Sequence, residues 1–269
     1  MASGITFRSA QSRERGWRIG VTDWNLELTG QVEAVALAAK LGFDGVQVSL
    51  GRKPISGKLP LDHSEIQNRY LDASKLHQIP LDGTCLDILH VDHLKNNPRA
   101  RKWVADSIPI TEKLHAQVVL LPFFGPAALA NRQEMEFVAD VLKEIAPAAE
   151  AAHVTLGLED TISAEDNVRV MERTKSPAVK VYYDVGNSTQ NGFDVVKEIR
   201  WLGASRICQI HLKDNPHYLG EGKIDFPAVL RAITDIRFNG FANLETDCPS
   251  GSVANDMTRN LKFIRGLSV

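Results

Sequence analysis

Four short apolar runs in the second half of this chain each finish on a residue able to bind a divalent metal ion. They are Leu156-Gly157-Leu158-Glu159, Val181-Tyr182-Tyr183-Asp184, Ile207-Cys208-Gln209-Ile210-His211 and Phe241-Ala242-Asn243-Leu244-Glu245. Each run reads as a buried parallel strand. Such a strand ends in a charged or imidazole group where that group meets a shared mouth above the sheet. Glu159, Asp184, His211 and Glu245 are therefore the candidate ligands of one ion. Three carboxylates and one imidazole form a hard, mostly oxygen shell suited to Mn²⁺, Mg²⁺ or Co²⁺, with Zn²⁺ admissible; a structural zinc favours thiolate and imidazole instead. Without a cation the three carboxylates would repel one another and resist ionisation. Any one of these residues, taken singly, is as readily a solvated strand end or a helix cap. Four in succession at equivalent positions carry the signal.

The elements that must position these residues alternate from end to end. Strands are expected at 18–22, 43–49, 80–87, 117–122, 153–159, 179–184, 206–212 and 240–246, with helices at 29–41, 63–77, 98–114, 131–152, after Ser163, at 193–202, 225–236 and 254–266. Thr29 reads as the N-cap of the first helix and Gly42 as its terminator. Pro98 and Pro227 suit first helical turns. Pro109 and Pro147, inside their segments, are expected to kink or break them. Eight strand-then-helix units in 269 residues predict a single-domain (β/α)₈ TIM barrel over 18–269, preceded by a polar extension at 1–17. A doubly wound sheet is disfavoured, because no phosphate-binding glycine motif follows the first strand.

Composition narrows the function classes. A formal net charge of −2 gives no broad attraction to nucleic acid or an anionic membrane, and no apolar run reaches the ~20 residues of a membrane span. The segment before the first strand carries Arg8, Arg13 and Arg15 and lacks the apolar stretch of a signal peptide, so the expected compartment is the cytoplasm. Cys85, Cys208 and Cys248 are odd in number with no CxxC pair, which argues against disulfides and thiolate zinc. His63, His77, His115 and His153 fall at helix ends or at the opposite face and are left out of the site.

Leu158-Glu159-Asp160, Tyr183-Asp184-Val185-Gly186-Asn187, Ile210-His211-Leu212-Lys213-Asp214, Gly220-Glu221-Gly222-Lys223-Ile224-Asp225-Phe226 and Leu244-Glu245-Thr246 resemble, in order and spacing, the xylose isomerase-like TIM-barrel family of sugar and sugar-phosphate isomerases and epimerases. Ketose 3-epimerases and inosose dehydratases are the members that look most similar. The resemblance is strong over residues 156–246. It implies one divalent metal at the four strand ends, and a substrate that is a sugar or a polyol-derived ketone. It also implies that Glu159 and Glu245 flank that substrate and exchange a proton beside its carbonyl through a metal-stabilised cis-enediolate. Glu221 resembles a loop-fixing position, and reads equally as a helix-entry carboxylate.

The chain also departs from the family pattern. Asn187 stands where many epimerases have His; it can donate a hydrogen bond but cannot carry a proton. An Arg usual beyond the His-x-Lys-Asp segment is missing from Asn215-Pro216-His217-Tyr218, leaving His217 as a candidate substitute. Candidate substrate contacts are thus Asn187, Lys213, Asp214 and His217, with Trp24 and His90 from the first half. Phe123 and Phe124 could join Trp24 in an apolar wall or simply pack in the core, and Asp87 and His93 could bind hydroxyls or be solvated loop residues. The related three-zinc apurinic endonucleases need more His ligands, and the second strand here ends Gln47-Val48-Ser49. Dehydration of an inosose and a non-catalytic carbohydrate-binding barrel stay open as alternatives, and so does a homo-oligomeric state.

Overall fold

The computed structural model describes residues 16–267. Eight strands, β1 (Arg18–Thr22), β2 (Gly45–Ser49), β3 (Leu81–Cys85), β4 (Val118–Pro122), β5 (Thr155–Glu159), β6 (Val179–Asp184), β7 (Ile207–Leu212) and β8 (Phe241–Leu244), pair in parallel in sequence order. The barrel closes through β8 and β1. The expected (β/α)₈ architecture is therefore present. Strand positions match the reading from periodicity: β1 and β6 have the expected bounds, and the other strands are trimmed by one or two residues at an end. Glu245 lies one residue past β8, its amide held by Leu212 O at 3.1 Å.

Helices α1 (Glu33–Leu41), α2 (Ser64–His77), α3 (Pro98–Lys113), α4 (Arg132–Ala151), α5 (Ala164–Thr174), α6 (Val185–Gln190), α7 (Val195–Arg206), α8 (Phe226–Asp235) and α9 (Val253–Gly266) surround the barrel. Their caps follow the sequence in several places. Asn131, Ser163 and Asp225 each accept an amide from the third residue on, and Gly42 closes α1 in the left-handed region at φ 91°.

Several expectations are corrected. The first helix starts at Glu33 rather than Thr29, because Gly30 takes φ 68° and gives its amide to the buried Asp23 carboxylate at 2.9 Å. Neither Pro109 nor Pro147 breaks its helix. An interior proline costs about 3 kcal/mol, and each of these helices buries a long apolar face, including Val104, Ile108 and Ile110 in α3 and Val138, Leu142 and Ile145 in α4. Burial at about 1.5–3 kcal/mol per large side chain outweighs that cost. The extension expected at 1–17 lies, for residues 1–15, outside the described residues, while Trp17 is fully buried in the core.

The main apolar core fills the layer between barrel and helices. Inside the barrel the lining is mixed: Cys85, Val118, Leu120 and Tyr182 pack together, and Gln47, Asp82, Gln209, His211 and Asn243 are buried with them. Room for these polar groups comes from glycine. A Cβ on Gly20 would collide with Asn243 and Asp82, and one on Gly157 would meet Cys208 Sγ at 2.8 Å.

Candidate metal centre

Glu159 ends β5, Asp184 ends β6, His211 lies one residue from the end of β7, and Glu245 follows β8. One donor atom from each can be chosen so that all four lie within 4.8 Å of one another. His211 Nδ1 is 2.7 Å from Glu159 Oε1, 3.4 Å from Glu245 Oε2 and 3.9 Å from Asp184 Oδ2. All but Glu245 are almost completely buried, and Glu245 is 16% exposed, at the open side of the cluster.

Local structure assigns the oxygens of Asp184 to different tasks. Its Oδ1 accepts the amides of Gly186 and Asn187 at 2.7 and 2.9 Å, capping α6, which was not foreseen as a helix. Its Oδ2 faces the cluster. The Lys213 ammonium sits 2.6 Å from that oxygen and 2.6 Å from Glu245 Oε2, so a cation already stands among the carboxylates. Trp24 completes the rim. Its indole N–H donates to Glu245 Oε1 at 3.0 Å, and its ring stands edge-on to His211.

The electrostatics are those of a crowded anionic pocket. Burial, then Glu245, pushes the Glu159 carboxyl up to about 8. Burial likewise raises Asp184 to about 7, against the pull of Lys213. Burial acts upward on Glu245 too, but His211, Lys213 and the Trp24 indole outweigh it and bring that carboxyl down to about 2. Burial lowers His211, and three surrounding carboxylates overcome burial to hold Lys213 above the ordinary lysine range. A divalent cation fits this donor set: three hard carboxylates and a neutral imidazole converge, and burial with mutual repulsion keeps two of the carboxyls from ionising despite Lys213.

The other expected site residues divide. Trp24 and Lys213 join the cluster directly. Asn187 opens α6 beside Asp184, and its Nδ2 is buried without a hydrogen-bond partner. His90 ends a 3₁₀ turn (Asp87–His90) and stacks on Phe124 with ring centroids 6.2 Å apart, while Phe123 is core. Asp87 accepts the Ser49 hydroxyl at 2.5 Å, and a ring nitrogen of His93 lies 3.3 Å from His90 O. The Asp214 carboxylate is taken up by the amides of Gly220, Gly222 and Lys223 at 2.9–3.2 Å, which makes it a clamp on the loop after β7. His217 is exposed and lines a cavity of about 390 Å³ with Gly186, Asp214 and Lys223. Glu221 pairs with Arg259 of α9. The residue that sequence reasoning missed is Gln47, whose Oε1 lies 3.0 Å from His211 Nε2. A glutamine in the middle of a buried apolar strand was the available signal.

Fold and cluster together define a parallel (β/α)₈ barrel with a four-residue cluster able to hold a metal ion at the C-terminal mouth of β5–β8. Residues 35–267 match the xylose isomerase-like TIM barrel family, and the chain belongs to it. It is 27% identical over 206 residues to a 2-epi-5-epi-valiolone 7-phosphate 2-epimerase from an Actinoplanes species, covering 74% of this chain and 73% of that one. Among solved structures it is similar to a D-psicose 3-epimerase from Clostridium cellulolyticum H10, with a TM-score of 0.77, 18% identity and coverage of 93% and 99%. It is also similar to 3-keto-D-glucoside 4-epimerase from E. coli, with a TM-score of 0.73, 15% identity and coverage of 93% and 99%. Among the described residues, no helix is long and apolar enough to cross a membrane.

Proposed function

We propose that this protein is a divalent-metal-dependent epimerase or isomerase of a polyhydroxylated ketone, a sugar or a cyclitol. The observation that carries the reading is the convergence of Glu159, Asp184, His211 and Glu245 on one point at the mouth of the barrel. The relatives support the substrate class, since their names cover 2-epi-5-epi-valiolone 7-phosphate, D-psicose and a 3-keto-D-glucoside, each epimerised. Those four residues would hold the ion; Mn²⁺, Co²⁺ and Mg²⁺ are the ions that suit the donors. When bound, the ion supplies Lewis acidity, polarising substrate oxygens and offsetting the charge that develops as the neighbouring C–H ionises.

The chain's own groups supply the rest. Glu159 ends β5 and Glu245 follows β8, with β6 and β7 between them, so the two carboxylates reach the cluster from strands that are not neighbours. One removes a proton from the carbon beside the carbonyl and the other returns one on the opposite face, which inverts that centre. Trp24 holds Glu245 by one oxygen and Lys213 by the other, fixing the plane of the carboxylate. Asn187 offers an unused amide donor to a substrate oxygen.

The test is an assay across ketoses, inososes and their phosphates, with Mn²⁺, Co²⁺ or Mg²⁺ and after exhaustive chelation. Metal-dependent interconversion of two epimers, with exchange of one C–H for deuterium, is the expected result. Turnover that survives chelation overturns the metal role. Loss of water from an inosose with no epimer formed would assign the same proton abstraction to a dehydratase.

A further inference from the structure

A line of hydrogen bonds runs through the barrel interior from the metal cluster towards the opposite end, and its donors and acceptors fit together in one sense. At the far end, Asp82 Oδ1 lies 3.3 Å from Asn243 Nδ2. Burial pushes the Asp82 carboxyl well above the ordinary carboxylate range, against the pull of Asn243 and of Arg18, which stacks over the Phe241 ring. Asn243 donates its NH₂ group to Asp82 Oδ1, which accepts whether or not the partnerless Oδ2 carries a proton. The same NH₂ donates to the Tyr182 hydroxyl at 3.0 Å. A hydroxyl has one proton, and Tyr182 gives it to Gln47 Oε1 at 3.0 Å. Gln47 Oε1 has no proton to pass on, so His211 Nε2, also 3.0 Å away, must be the donor.

That sequence of donors decides the tautomer of His211. With the proton on Nε2, a neutral imidazole carries its lone pair on Nδ1, the nitrogen that faces Glu159, Asp184 and Glu245. Reversing the amide of Gln47 would put an N–H against Nε2, move the ring proton to Nδ1 and leave no lone pair for an ion. Gln47, Tyr182, Asn243 and His211 are at most 1% exposed, so bulk water cannot exchange the roles. The arrangement is also costly: Gln47 Nε2, Asn243 Oδ1 and Asp82 Oδ2 are buried without partners, where apolar side chains would leave nothing unsatisfied. A polar chain kept at that cost fits a role in orientation better than one in packing.

We propose that Gln47 is a positioning residue which, oriented through Tyr182, Asn243 and Asp82, holds His211 as the Nε2–H tautomer and so presents Nδ1 as a ligand atom. The inference rests on the metal reading above and adds to it a requirement from β2, on the far side of the barrel from β7.

Two measurements test it. In metal-free protein with ¹⁵N-labelled histidine, long-range ¹H–¹⁵N correlation reads the tautomer of His211 directly. The wild type is expected to show Nε2–H, and Nδ1–H there would overturn the inference without any variant. Calorimetric titration with Mn²⁺ and with Co²⁺ then compares variants of matched circular dichroism. Q47L is expected to weaken binding by about 10–100-fold, the usual loss for a partner of a metal-bound histidine. Y182F, which frees the Gln47 amide to turn, loses less, and Q47E, whose carboxylate can only accept, recovers most of the affinity. A folded Q47L that binds as tightly as wild type overturns the positioning role. A wild type that binds neither ion overturns the metal reading instead, and the tautomer still decides this inference separately.

Discussion

The two halves of the barrel mouth both carry buried carboxylates, and they use them in opposite ways. At the ends of β1–β3, Asp23 accepts the amides of Ser49 and Gly30 at 2.9 Å each, and Asp87 accepts the Ser49 hydroxyl. These acids tie one loop to the next. At the ends of β5–β8, Glu159, Asp184 and Glu245 turn their oxygens towards one another, His211 and Lys213. Burial raises Asp23 to about 8, as it does Glu159, so a shifted carboxyl alone does not mark the functional half. What separates the halves is the partner: amides and a hydroxyl on one side and, on the other, beyond the two amides that Asp184 Oδ1 accepts, ionisable side chains. Amides already occupy one oxygen of Asp23, although its Oδ1 stays without a partner, whereas carboxylates that face each other call for a cation.

The largest effect that sharpens this contrast is on turnover. Glu159→Gln and Glu245→Gln are each expected to lower kcat by about 10²–10⁴-fold, the range for a lost acid–base group, whereas Asp23→Asn leaves kcat near wild type. Steady-state kinetics on the substrate found by the epimer assay checks this. Near wild-type turnover by either glutamine variant would remove that residue from proton transfer.

Metal should stabilise one half and not depend on the other. Mn²⁺ at 100 times its Kd is expected to add about 2.7 kcal/mol to folding, read as a rise in Tm that Asp184→Asn diminishes and Asp23→Asn preserves. The pH dependence has a definite sign. A carboxyl raised in the folded state contributes stability below its unfolded value, near 4, and loses it as pH climbs to the folded one. With Glu159 and Asp23 at about 8 and Asp184 at about 7, metal-free stability should fall between about pH 4 and 8. Glu245, lowered to about 2, acts in the opposite sense and only at the acid end. Bound metal keeps Glu159 and Asp184 ionised, so the fall should become shallower with Mn²⁺ present, and Asp23→Asn should remove a further part. Thermal denaturation from pH 4 to 9, with and without Mn²⁺, separates the two contributions.

A smaller effect belongs to the rim. Trp24→Phe keeps the ring beside His211 and loses one hydrogen bond to Glu245, a charged partner, worth about 1.5–3 kcal/mol. A fall in kcat of about 10-fold or more with metal affinity little changed is expected, measured by kinetics at saturating Mn²⁺. The smallest effect on chemistry is that of Asp23→Asn itself, which should cost about 1–3 kcal/mol of stability and leave Mn²⁺ affinity as it was.

Much of this was legible in the chain. The alternation of apolar runs with amphipathic stretches, opened by caps such as Ser163 and Asp225 and closed by residues such as Gly42, specifies eight βα units, because burial period and capping are local properties. The convergence of the four candidate ligands was legible for a related reason: a polar residue closing a buried parallel strand has one place to go once the strands form a barrel. Where local signals competed with tertiary packing, the reading failed. Pro109 and Pro147 are local breakers overruled by the faces their helices bury, and Thr29 is a plausible cap displaced because Asp23 claims the Gly30 amide.

The sequence by itself therefore determined which four residues could meet a metal, since strand ends and their order are written along the chain. Only the closed barrel decided what else meets them. Lys213 standing between Asp184 and Glu245, Trp24 donating to Glu245 from 221 residues away, and Gln47 meeting His211 across 164 residues all depend on curvature that brings distant strands face to face. Side-chain direction across a barrel is a property of closure and register, and neither is contained in any single segment.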